Sequence, residues 1–67
     1  MREIDIAKTI TELRVTLALT QEQFAARVGV TLSTINRWEN SKGTPSPLAM
    51  LRIEELQNEL KQNKQSE

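Results

Sequence analysis

Apolar residues recur at helical spacing in four stretches of the chain. In the first, Ile6, Ile10, Leu13 and Leu17 are separated by 4, 3 and 4 positions and share one face. This predicts a helix from about Ile4 to Leu17, with Asp5 in the first turn, where negative charge suits the helix dipole. The second stretch opens on Thr20 as N-cap, with Gln23 three residues later to complete a capping box. Leu19 and Phe24 occupy the positions of a hydrophobic staple around that cap. The helix is expected from Gln21 to Val28, where Gly29 stops it by adopting a positive φ. Thr31 then caps a third helix, Leu32 to about Glu39, with Ile35 and Trp38 turned inward. A breaker-rich loop, Asn40 to Pro45, leads to Ser46 as N-cap and Pro47 as the first residue of a fourth helix. That helix carries Leu48, Leu51, Ile53, Leu56 and Leu60, and the polar run KQNKQSE that ends the sequence is expected to fray. The pattern predicts an all-α, four-helix domain over residues 1–61 and a polar tail over 62–67.

The second and third helices, joined by a turn at Gly29, form a helix-turn-helix over about residues 21–40. Ala25 is small enough for the two helices to approach closely, and Gly29 turns without a Cβ clash. With Phe24, Val28, Val30, Ile35 and Trp38 assigned inward, the outward face of the third helix follows by subtraction. Leu32 and Asn36 stack at i, i+4, as do Ser33 and Arg37. Such a stripe suits base edges: arginine for guanine, asparagine for adenine, an apolar group for the thymine methyl. Trp38 is assigned to the core instead of to base stacking, because apolar residues at helical spacing usually pack inward.

Composition narrows the chemistry. At 67 residues the chain makes one domain. It contains neither cysteine nor histidine, which removes disulfides, thiolate metal sites and the commonest general base. No carboxylate pair or phosphate-cradling glycine loop stands out, so the expectation is a non-enzyme without metal or cofactor. No apolar run reaches the roughly 20 residues of a membrane span. The start of the sequence lacks the apolar stretch of a secretion signal, so a cytoplasmic protein of bacterial or phage origin is expected. Nine basic residues balance nine acidic ones, which argues against a nucleic-acid partner.

The run LTQEQFAARVGVTLSTINRWENSKGTPSP, with Leu13 and Arg14 upstream, resembles the Cro/phage-repressor-type (XRE) helix-turn-helix domains over about residues 4–60. The resemblance implies a lambda-repressor-like fold, with a fifth helix in many members that has little sequence left to form it here. It implies that Gln21 and Asn40 contact DNA phosphates. It places Thr31, Leu32, Ser33 and Arg37 at base-reading or groove-edge positions, and Arg14 and Glu39 at a structural ion pair. Together with the outward stripe, this assigns Leu32, Ser33, Asn36 and Arg37 to base reading and Gln21, Thr31, Asn40 and Lys42 to phosphate contact. Two positions depart from the family. Leu32 stands where several members carry glutamine, and Ser41 where glycine is usual.

If Glu39 is consumed by Arg14, residues 21–44 are left mildly positive, with Arg27, Arg37 and Lys42 against Glu22. The acids Glu54, Glu55 and Glu59 fall on the fourth helix, away from the presumed groove. The expected function is sequence-specific double-stranded DNA binding by a transcriptional regulator, a repressor by preference, with the third helix (about 32–39) in the major groove. The alternative is a protein-interaction module such as an antitoxin subunit, with a protein partner. A weak homodimer, stabilised on DNA, is expected through Ile53, Leu56 and Leu60, although those residues could instead cover the first helix.

Overall fold

Each helix starts on a side chain that takes over an orphan backbone amide. Asp5 Oδ1 accepts from Lys8 N at 3.3 Å, ahead of α1 (Ile6–Thr16). Thr20 Oγ1 accepts from Gln23 N at 3.1 Å while Gln23 Oε1 accepts from Thr20 N at 2.9 Å, a complete capping box ahead of α2 (Gln21–Val28). Thr31 Oγ1 accepts from Thr34 N at 3.2 Å ahead of α3 (Leu32–Glu39), and Ser46 Oγ from Ala49 N at 3.2 Å ahead of α4 (Pro47–Gln65). The structure, a computed structural model, describes residues 5–65, and side-chain environments for residues 5–61. No strand occurs among the described residues, and the described helices are four.

Two boundaries differ from the sequence reading. Asp5 is the N-cap of α1 and not a first-turn residue, because its carboxylate reaches the Lys8 amide only from outside the helix. The expected start at Ile4 lies outside the described residues. At the other end, α4 continues to Gln65, into the segment expected as a tail. Its residues up to there include no glycine or proline after Pro47, so no breaker interrupts the backbone ladder.

The core is shared by all four helices: Ile10 and Leu13 from α1, Phe24, Ala25 and Val28 from α2, Ile35 and Trp38 from α3, and Ala49, Ile53 and Leu56 from α4. Ile6, Leu17, Leu19, Val30, Met50 and Leu60 pack around it. Phe24, Ile10, Ile35 and Ile53 are the largest fully enclosed side chains, each contributing about 1.5–3 kcal/mol of transfer free energy. The buried stripe of α4 runs Ala49, Ile53, Leu56, a repeat of four and three that the sequence reading blurred by including Leu48 and Leu51. Those two point outward and are 63% and 51% exposed. Within one chain, the residues expected at a dimer contact take the other role the sequence left open, covering the neighbouring helices. Ile53 and Leu56 are spent on the monomer's own core, and Leu60 packs against the same cluster.

Three turns place residues in the left-handed region. Gly29 (φ 89) ends α2, and the Gly29 and Val30 amides both donate to Ala25 O, at 2.8 and 3.0 Å. Ala18 and Ser41, both at φ 61, do the same work after α1 and α3 without being glycine. Leu19 N closes the first of these turns onto Arg14 O at 3.0 Å, and Lys42 N closes the second onto Arg37 O at 2.8 Å. Ser41 therefore keeps the turn that glycine would make, at the cost of a strained backbone. Ala18→Gly and Ser41→Gly should each stabilise the fold by about 0.5–1 kcal/mol, the relief of strain less the added freedom of the unfolded chain. At Gly29 a Cβ would meet nothing within 4 Å, so only the backbone conformation resists substitution. The expected order of destabilisation is Asn, then Ala, then Val, reaching about 1–3 kcal/mol for Gly29→Val. Denaturant midpoints of the five variants check this, and an unchanged midpoint for Gly29→Val would refute the strained-turn account.

Candidate nucleic-acid interface

Burying Ile35 and Trp38 turns the opposite side of α3 to solvent. Leu32, Ser33, Asn36 and Arg37 are all exposed there, Leu32 by 47%. Thr31 sits at the helix entrance, but its hydroxyl already caps Thr34 N and lies 2.9 Å from Thr34 Oγ1. Arg37 lies along the following loop: a Cβ at Gly43 would fall 3.5 Å from its Nη2. Lys42 is exposed in that loop.

Behind this face, one carboxylate gathers donors from two other helices. Arg14 Nε donates to Glu39 Oε2 at 2.7 Å and Nη2 to Oε1 at 3.3 Å, while Nη1 holds Leu19 O at 3.1 Å. Gln21 Nε2 donates to Glu39 Oε1 at 3.1 Å. The side chains of Arg14 and Glu39 are 19% and 9% exposed, so the pair is largely shielded. Burial works to raise the Glu39 pKa. Hydrogen bonds from Arg14 and Gln21 and the Arg14 charge outweigh it and hold the carboxyl below its ordinary value of 4.5. The chain of contacts continues outward. Asn36 Nδ2 donates to Gln21 Oε1 at 3.5 Å, and Asn40 Nδ2 donates to Asn36 Oδ1 at 3.1 Å and to Asn36 O at 2.7 Å.

The residues nominated from the sequence thus fall into two groups. Leu32, Ser33, Arg37 and Lys42 face solvent, and among the described residues the side chains of Ser33, Arg37 and Lys42 make no hydrogen bond to the rest of the domain. Gln21, Asn36 and Asn40 are bonded to one another, and through Gln21 to Glu39 and Arg14. The Gln21–Glu39 and Gln21–Asn36 contacts span 18 and 15 residues, beyond any local spacing rule, and no sequence signal marks them. Arg27 departs from its expected part in the positive surface, since its Nη1 lies 3.9 Å from Glu59 Oε1 on α4. Arg52 and Glu55 make a similar exposed contact at 3.6 Å.

A helix-turn-helix family model matches residues 10–56, well over half of the chain. The chain belongs to the Cro/repressor-type (XRE) helix-turn-helix family. Neither a curated protein nor a solved structure matches it. The matched span of this helix-turn-helix protein includes α2, α3 and the core residues of α4 through Leu56. The family is a DNA-binding one of transcription-regulator type. No described helix of the protein is long and apolar enough to cross a membrane.

The Arg14–Glu39 pair should show a coupling of about 1–3 kcal/mol in a double-mutant cycle, measured by denaturant unfolding. Because the folded-state pKa of Glu39 is lowered, its stabilising effect is complete above the unfolded value and is lost as pH falls through the folded one. The stability gap between the parent and Glu39→Gln should accordingly be widest at neutral pH and narrow below pH 4.5. A gap that stays constant through that range, or a coupling near zero, contradicts the assignment.

Proposed function

We propose that the protein is a sequence-specific transcriptional regulator, a repressor by preference, that lays α3 in the major groove of double-stranded DNA. The observation supporting this is the unspent outward face of α3, which sets an apolar group, a hydroxyl and a guanidinium side by side above a buried inner face. Leu32 suits a thymine methyl, Arg37 a guanine edge, and Ser33 either partner of a base pair. Gln21, Thr31, Asn40 and Lys42 border that face and suit phosphates, which fix register without carrying sequence information.

The zero net charge is compatible with this reading because the charges are unevenly spent. Glu39 is neutralised by Arg14, and Glu59 and Glu55 lie beside Arg27 and Arg52 on the α4 side. Arg37 and Lys42 then dominate near α3, with Glu22 the opposing acid. Affinity for a single site would be modest, and two copies on half-sites roughly 34 Å apart would compensate. This includes a weak homodimer promoted by DNA. A protein-interaction module is the less favoured reading, since nothing beyond the charge balance argues for it.

Selection of preferred sites from randomised duplexes tests the assignment. Arg37→Ala should relax preference at one base pair, at a cost of about 1–3 kcal/mol, while Gln21→Ala weakens all sequences alike. Binding should also fall steeply with added salt. A site preference unchanged by Arg37→Ala would remove arginine from the reading set, and no binding at low salt would leave the protein-partner reading.

A further inference from the structure

We propose that Glu39 is a positioning residue for DNA binding, whose carboxylate sets the orientation of the Gln21, Asn36 and Asn40 amides and thereby takes Asn36 out of base reading. The proposal rests on the DNA-binding reading above and deepens it. An ionised carboxylate can only accept hydrogen bonds. Gln21 must therefore turn Nε2 toward Glu39, at 3.1 Å, and its Oε1 away. The turned-away oxygen is left free to accept, and Asn36 Nδ2 donates to it at 3.5 Å. Asn36 Oδ1 then faces the other way and accepts from Asn40 Nδ2 at 3.1 Å.

The far end of the row imposes the same polarity independently. Asn40 Nδ2 also donates to the Asn36 backbone carbonyl at 2.7 Å, and a carbonyl, like a carboxylate, only accepts. Flipping any one of the three amides would bring two oxygens or two NH2 groups face to face. The row is thus anchored at both ends by groups that cannot donate, and its longest link, Asn36 to Gln21, is where it opens first.

This arrangement decides what Asn36 can offer. Reading adenine takes both amide atoms of an asparagine, Oδ1 and Nδ2, turned to the same base edge. Here both are turned to neighbouring side chains. One N–H of Gln21 and one of Asn36 remain unspent, and a phosphate oxygen, which only accepts, suits both. Asn36 grips the backbone beside Gln21, and base preference is left to Leu32, Ser33 and Arg37.

Two measurements test this. In the free protein, NMR should show nuclear Overhauser contacts from the Gln21 side-chain amide protons to the Arg14 guanidinium protons and to the Asn36 amide protons. In binding to a random-sequence duplex at low salt, Glu39→Gln and Gln21→Ala should each lose about tenfold in affinity. The double variant should be no weaker than either single one, because both break the same row. Asn36 is exposed, so Asn36→Ala keeps the fold even if Glu39→Gln does not. It should weaken binding to all duplexes alike and leave the selected site preference unchanged. Missing Gln21–Asn36 contacts in the parent, single losses that multiply in the double variant, or a preference relaxed at an A·T pair by Asn36→Ala would each overturn the positioning role while leaving DNA binding intact. A parent chain that binds no duplex would overturn both.

Discussion

A carboxylate that leaves water has to find donors, and Glu39 finds them on α1 and at the head of α2. Arg14 and Gln21 are brought to the end of α3 by that requirement, at 2.7 and 3.1 Å. The apolar core holds the helices together without fixing their relative rotation closely, since hydrophobic contact is not directional. Hydrogen bonds are directional, and this shielded one fastens three helices at the edge where α2 and α3 meet solvent. Removing one partner would strand a charge, which is far more costly than losing an exposed ion pair such as Arg27–Glu59. The α2–α3 unit is therefore fastened to α1 by a polar contact lying outside the hydrophobic cluster.

Local chemistry explains how much of this could be read from the sequence. The bounds of α2 and α3 and the positive φ at Gly29 follow from capping residues and a glycine, whose effects are confined to a few neighbours. The inward assignment of Ile35 and Trp38 follows from periodicity. Legibility fell where the answer depended on tertiary neighbours. The apolar stripe of α4 could equally have served a partner chain, and only its packing on the other helices shows it spent internally. Ala18 gives no sign in the sequence of its left-handed backbone, because alanine favours the helix it terminates. Family resemblance supplied Arg14 and Glu39, but the amide row beyond them joins residues 15 and 18 positions apart and had no local signature.

Net charge proved a poor guide for a related reason. It counts groups without regard to which are already paired. With Glu59 and Glu55 beside Arg27 and Arg52 and Glu39 largely shielded, a neutral chain can present surfaces of different character on opposite sides. The exposed Leu32 adds to that contrast by putting an apolar side chain at the start of α3.

Trp38 sits directly before Glu39, is 6% exposed, and is the only tryptophan in a chain without tyrosine. The domain consequently carries its own optical probe. Near-ultraviolet emission comes from one indole, enclosed where α3 meets the rest of the core, and shifts to the red when water reaches it. Because that ring faces away from the outward side of α3, its signal reports on the integrity of the fold and is largely blind to what the opposite side touches. Stability can thus be followed without a label, whereas occupancy of the outer face calls for a dye on the ligand.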